Sequence, residues 1–207
     1  MKITAIKQQV KRVGRYSIFV DGKYSFSLSA DALLDSKVVV GLEVDDKRIR
    51  EFKQLSDDDK IYNNVLGYLA IRPRSHWEIE SYLQRKKASP TLSSTILNKL
   101  SDNDLINDQR FAQAFVNDRR LLKPTSRRKL SLELRQKRVS TEIINLVLAG
   151  DEVPDSDVLR ELIIRKRRQT KYQDDLKLMQ YLARQGFNYG DIKDALGAAS
   201  NAPDDDY

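Results

Sequence analysis

The chain has 207 residues, 40% of them hydrophobic and 32% charged, with a formal net charge of +7 and a pI near 9.5. The absence of cysteine excludes disulfides, thiolate metal sites and a thiol nucleophile, and no apolar run approaches the roughly 18 residues a membrane span needs. The polar start from Met1 to Gln9 lacks the apolar core of a signal peptide, so the expectation is a soluble, cytoplasmic protein.

From the N-terminus, Tyr16, Ile18 and Val20 alternate with Ser17 and Phe19, and Tyr24, Phe26 and Leu28 alternate with serines. Asp21-Gly22 between them supplies the two positive φ angles of a type I′ turn, so the pattern predicts a β-hairpin. A lone hairpin is marginal in water and needs a third strand, expected over Ile3 to Val10, and a packed helix. Ser29 is placed to cap a short helix through Leu34, and Asp45 or Asp46 to start another through Phe52. Together these predict a β-rich head over residues 1–55.

A helical body is expected from Ser56, read as an N-cap, with Asp57, Asp58 and Asp59 complementing the positive end of the dipole. Ile61, Val65, Leu66 and Leu69 keep helical spacing up to Arg72, where Pro73 disfavours continuation. Ser75-His76-Trp77-Glu78 fits a capping box, and Ile79, Tyr82 and Leu83 continue the buried stripe of the helix it starts. Another helix is expected over Leu92 to Leu100. Asn107 or Asp108 caps the next, which carries Phe111, Ala112, Phe115 and Val116. Pro124-Thr125-Ser126 punctuates, Leu130 and Leu134 resume, and Ser140 caps a helix with Ile143, Ile144 and Val147. After the break at Gly150 to Asp155 come Val158, Leu159, Leu162 and Ile163, then Leu176, Met179 and Leu182, then Ile192 and Leu196. Trp77, Tyr82, Phe111 and Phe115 lie on apolar stripes and are expected in cores.

One phrase is written three times: Tyr82-Leu83-Gln84-Arg85-Lys86-Lys87, Glu133-Leu134-Arg135-Gln136-Lys137-Arg138 and Tyr181-Leu182-Ala183-Arg184-Gln185-Gly186, each followed by an apolar helix. The leucines stand 51 and then 48 residues apart. A period near 50 built of three helices marks a tandem array whose units cannot bury their apolar faces alone. The predicted fold is mainly α: three-helix repeats over residues 56–107, 108–153 and 154–200 form an elongated curved array behind the head. An acidic tail follows over 201–207.

The positive charge is uneven. Lys plus Arg outnumber Asp plus Glu by 11 to 7 in residues 1–55 and by 10 to 6 in 108–153, which favours acidic protein surfaces or polyanions as partners. Arg72 and Arg74 flank a helix break, where guanidinium groups can make paired hydrogen bonds to carboxylates or phosphates. Arg119, Arg120, Arg127, Arg128 and Lys129 are the densest cluster. Arg127 and Arg128 sit at a helix start, where cations oppose the dipole, which points to a partner. Arg165, Lys166, Arg167 and Arg168 sit at a helix end, where cations are locally favourable, so their case is weaker. The single histidine, His76, has no nucleophile or carboxylate partner at motif spacing, and the eight glycines form no phosphate loop. The expectation is a non-enzyme without cofactor or metal.

Two segments resemble the RecX regulators of the bacterial recombinase RecA. Tyr68-Leu69-Ala70-Ile71-Arg72-Pro73-Arg74-Ser75 with Glu78 and Leu83 is similar to that family's first-repeat signature. Leu105-Ile106-Asn107-Asp108-Gln109-Arg110-Phe111-Ala112 through Asp118-Arg119 is similar to its second, and Arg128 to Val139 matches more loosely. The resemblance covers roughly residues 60 to 150. The family usually places glycine where this chain has Thr125 or Ser126 and Arg138. A glycine at a helix C-terminus takes the left-handed conformation cheaply, so Lys87 and Arg138 either adopt it at a cost or end their helices differently; only Gly186 keeps the expected residue. The resemblance implies a non-enzymatic modulator acting in DNA repair, homologous recombination and the SOS response; a monomer is expected separately, since an array that caps its own ends can be monomeric. It would lie in the groove of the RecA filament on DNA, inhibit ATP turnover and strand exchange, and favour disassembly. The rival reading is a helix-turn-helix-like DNA-binding protein making mainly phosphate contacts.

Overall fold

The computed structural model describes the backbone of residues 1–200 and the side chains of 1–197; the expected acidic tail lies outside the described residues. Strands β1 (Ile3–Gln8), β2 (Arg15–Val20) and β3 (Lys23–Ser29) form an antiparallel sheet in that order. The β2–β3 turn is the expected one, with positive φ at both Asp21 and Gly22. Ile18 pairs with Ile6 on one side and Phe26 on the other, and Ile3, Ile18, Phe26 and Leu28 enter one apolar core with Val38, Val44 and Phe52. Ser29 caps α1 (Ala30–Ser36) by accepting from the amide of Ala32.

The expectation at Ser56 is overturned. Asp45 caps α2, which runs without interruption over Asp46–Ile71, so Ser56 is a mid-helix residue. Its hydroxyl donates to the carbonyl of Ser27 at 2.7 Å, tying α2 to β3. The three aspartates that follow do not complement a helix start either. Asp57 pairs with Lys60, Asp58 accepts from Gln54, and Asp59 turns inward toward the sheet. Its carboxylate takes Arg15 at 3.1 Å, the Ser29 amide at 2.9 Å and hydroxyl at 2.6 Å, and the Asn63 side chain at 2.8 Å. Serine and aspartate favour helix starts because their side chains accept from free amides, but a buried tertiary partner competes for the same oxygens. The expected boundary at residue 55 therefore falls inside one helix.

Further elements follow: α3 (His76–Arg85), α4 (Pro90–Asp102), α5 (Asp108–Leu122), α6 (Arg127–Gln136), α7 (Thr141–Ala149), α8 (Asp155–Arg167), a 3₁₀ turn at Thr170–Tyr172, α9 (Asp175–Arg184) and α10 (Tyr189–Ser200). Serine, asparagine or aspartate caps most of them: Ser89, Asn107, Ser126, Ser140 and Asp174 each accept from an amide three residues on. The amide of Lys177, donated to Asp174, holds that carboxyl below the usual aspartate range. Pro154 precedes α8 with no side-chain cap. Ser75 and Glu78 form the predicted capping box, the Glu78 amide donating to the serine at 3.2 Å.

The structure divides into two compact units, residues 1–72 with 79–103, and residues 73–78 with 104 onward, so the division runs through α3. In the first unit Val65, Ile79, Leu83 and Leu100 are fully buried, and the Tyr68 and Tyr82 rings stack at 4.5 Å. In the second unit α5, α6 and α7 enclose Phe111, Val116, Leu130, Leu134, Ile144 and Val147. Helices α8, α9 and α10 enclose Leu159, Leu162, Leu178, Leu182 and Ile192. Phe111 is the buried member of the four aromatics placed in cores; Trp77, Tyr82 and Phe115 are half-buried.

The three phrases end alike. Leu83, Leu134 and Leu182 are fully buried, and each leucine carbonyl accepts from the amide five residues on: Ala88 at 3.1 Å, Val139 at 3.2 Å and Phe187 at 3.4 Å. Lys87, Arg138 and Gly186 all take positive φ, at 58°, 54° and 90°. The left-handed alternative is therefore the one adopted, and the closing hydrogen bonds offset its strain at the two non-glycine positions.

Candidate partner-binding surface

The cluster at the α5–α6 connection separates into tied and exposed cations. Arg119 bonds Glu133 at 2.8 Å, with its guanidinium 5.0 Å from the Phe115 ring. Arg120, only 11% exposed, meets Asp151 at 2.6 Å and donates to the Thr125 carbonyl at 2.7 Å. Arg127 donates to the Asp151 carbonyl, and its Nε lies 3.6 Å from the Asp151 carboxylate. Lys129 Nζ reaches the Arg184 carbonyl at 2.7 Å and Gln185 Oε1 at 3.0 Å. Among the described residues, Arg128 alone of the five makes no side-chain hydrogen bond or ion pair, and it is exposed. Cations at the start of α6 do oppose its dipole, but Asp151 and Asp155 compensate within the molecule.

The run at the end of α8 divides in the same way. Arg167 donates to Asp175 and to the Gln173 carbonyl, while Lys166 Nζ lies 4.7 Å from the Tyr181 ring and 5.3 Å from Tyr172. Arg165 and Arg168 are exposed, and beside Arg165 stands the exposed apolar Ile164. Arg72 is exposed and Arg74 half-buried at the break after α2, where Arg72 takes an extended backbone before Pro73. Among the described residues, no group of three or more His, Cys, Asp or Glu comes together as a metal site.

Several contributors are silent in sequence patterning. Asp108 accepts from the His76 amide at 2.7 Å, and Asp155 accepts from the Arg127 amide at 3.0 Å through both oxygens. Ser75 Oγ donates to the Lys137 carbonyl at 3.0 Å, and the Ser126 amide and Thr125 hydroxyl donate to the Gln185 carbonyl at 3.1 and 2.7 Å. Asp108 and Asp155 each read as an acidic first-turn residue, so nothing local marks them as reaching another helix. The one signal is register: both follow the preceding leucine anchor at a similar distance.

Comparison with known proteins gives these features a lineage. A model described as the RecX second three-helix domain matches residues 107–148, and one described as the regulatory protein RecX N-terminal domain matches 1–45. Regulatory protein RecX of Bacillus subtilis is 30% identical over 99% of this chain and 79% of the relative. The chain belongs to the RecX family. Its match to regulatory protein RecX of Listeria welshimeri is similar, at 31% identity over 99% of this chain and 78% of that one. A crystal structure of regulatory protein RecX is 28% identical over 93% of this chain and 98% of its own, with a TM-score of 0.69. The crystal structure of RecX from Lactobacillus salivarius gives a TM-score of 0.57 at 25% identity over 70% of this chain and 98% of its own. The family match thus includes the β-rich head, which lay outside the 60–150 stretch on which the sequence resemblance rested.

Proposed function

We propose that this RecX-family chain is a non-enzymatic regulator that binds the RecA filament on DNA and inhibits recombinase activity: ATP turnover, strand exchange and filament persistence. It would act as a cytoplasmic monomer, with the three-helix units over 108–153 and 154–200 serving as successive modules. The observation that carries the reading is the exposure of Arg128, Arg165 and Arg168 on consecutive helix triplets, while Arg119, Arg120, Arg127, Lys129 and Arg167 beside them are tied to partners within the molecule. Successive contacts suit a polymeric partner, because the second module binds at high effective concentration once the first is engaged.

The direct test is DNA-dependent ATP hydrolysis by the RecA of the same organism, titrated with this protein. Inhibition at or below equimolar ratio is expected, and unchanged hydrolysis would overturn the reading. Reversing Arg128, Arg165 and Arg168 together to glutamate should raise the half-inhibitory concentration by about tenfold or more, a loss of about 1.4 kcal/mol of binding. Helical content should stay the same. The rival DNA-binding reading has less support, because the third helix of the second triplet, α7, exposes Glu142 and Leu146 and carries no cation to meet phosphate. A sequence-selective duplex shift at near-physiological salt would favour the rival instead.

A further inference from the structure

Two sets of contacts in the second unit are built from the same parts in the same register. In one, the start of α3 meets α5 and the end of α6; in the other, the start of α6 meets α8 and the end of α9. Each has a hydroxyl-bearing residue or its neighbour donating to the carbonyl of Lys137 or Gln185, which stand just beyond a middle helix. Each has an aspartate, Asp108 or Asp155, accepting the first amide of the helix that begins there. One position differs instructively. In the first set Glu78 accepts from Lys137 Nζ at 2.7 Å; in the second, the residue equivalent to Glu78 is Lys129, which donates to Gln185, the equivalent of Lys137. Donor and acceptor have changed sides while the bridge is kept.

We propose that these contacts are one transposable joint, and that Asp108, Asp155 and the Glu78–Lys137 and Lys129–Gln185 bridges are positioning residues that fix the start of one middle helix to the triplet that follows it. The joint satisfies amides at a helix start that would otherwise be left without acceptors, and it draws the acceptor from the following triplet, so neither side is complete without the other. Gly186 is part of the seal. A Cβ there would stand 2.4 Å from Ser126 Oγ and 2.8 Å from Lys129 Cβ, so α6 and the end of α9 approach as closely as a backbone allows. The functional consequence rests on the proposed RecA reading: a fixed joint holds Arg128 and the Arg165–Arg168 pair at a constant spacing, and a loosened joint lowers the effective concentration of the second contact.

The test converts the second joint to the chemistry of the first. Lys129→Glu alone puts a glutamate three residues after the Ser126 cap, completing a capping box that favours the local helix, but it removes the bridge to Arg184 and Gln185. Amide exchange in residues 126–130 and 183–187 of the whole protein should therefore accelerate together, by about tenfold, a mid-range value for groups in contact. Adding Gln185→Lys should restore protection at both ends and return RecA inhibition to the wild-type concentration range. Asp155→Asn is the second probe and should speed exchange at the Arg127 amide with helical content preserved. The proposal is overturned if the paired variant exchanges as fast as Lys129→Glu, or if the two substitutions act additively. If wild-type protein leaves RecA hydrolysis unchanged while exchange follows this pattern, the functional reading fails and the joint stands.

Discussion

The head and the second helix triplet bury comparable apolar cores and a charge pair each, but the head's pair joins its sheet to its helix, whereas the triplet's joins the end of α5 to the segment after α7. Arg15 and Asp59, with side chains 9% and 5% exposed, join strand β2 to helix α2 across 44 residues of sequence, and Ser27, Ser29 and Asn63 satisfy the remaining donors and acceptors. The α5–α7 triplet closes with leucine, valine, isoleucine, alanine and phenylalanine, and its buried pair, Arg120 with Asp151 at 11% and 5% exposed, lies beside that cluster at the end of α5. Non-directional burial supplies free energy but tolerates sliding; a desolvated, fully bonded charge pair adds little net energy but allows one arrangement. A three-stranded sheet laid on a long helix has many apolar registers open to it. A triplet of short helices with tight caps has few, and its buried pair fastens the segment beyond α7 to α5 instead of choosing among registers.

Asp59→Ala should show the largest effect. It strands the Arg15 guanidinium in the core, at a cost of about 3–5 kcal/mol. Urea denaturation should register the loss, with hydrogen exchange accelerating in β2, β3 and α2 and not in α5–α7. Equal acceleration in both regions would break the contrast drawn between them. Gly186→Ala comes next. Its left-handed backbone alone costs a side chain about 1–2 kcal/mol, and the approach to Ser126 and Lys129 adds to that. Thermal unfolding should reveal it, with exchange rising at the start of α6.

The smallest effect has the opposite sign. Lys87→Gly relieves a left-handed residue and should stabilise by up to about 1 kcal/mol. Arg138→Gly should stabilise less, because the Arg138 guanidinium also sits 5.8 Å from the Trp77 ring, a contact of about 0.5–1 kcal/mol at an exposed site. The difference between these two variants, measured by urea denaturation, sharpens how far each phrase has departed from a glycine cap.

Much of the fold was legible because it is local. The Asp21-Gly22 turn, the caps at Ser29, Asn107 and Ser140, the capping box at Ser75 and the buried leucines of the three phrases all depend on residues within a turn or two of each other. The candidate surface was less legible. A run of basic residues looks the same whether its members face solvent, as Arg128, Arg165 and Arg168 do, or an aspartate 31 residues away, as Arg120 does. Ser56 failed for the same reason: its sequence context is that of a cap, and only β3 reveals its partner.

By itself, then, the sequence determined most helix caps, the period of the three phrases and their terminating geometry, since backbone amides, turn residues and apolar spacing act over a few residues. Tertiary structure alone decided which charges are spent inside the molecule. A carboxylate's choice between water, a nearby amide and a distant guanidinium turns on burial and on the approach of chain segments far apart in sequence. Asp59, Asp151 and Asp155 received their roles only when β2, α5 and α6 came within reach.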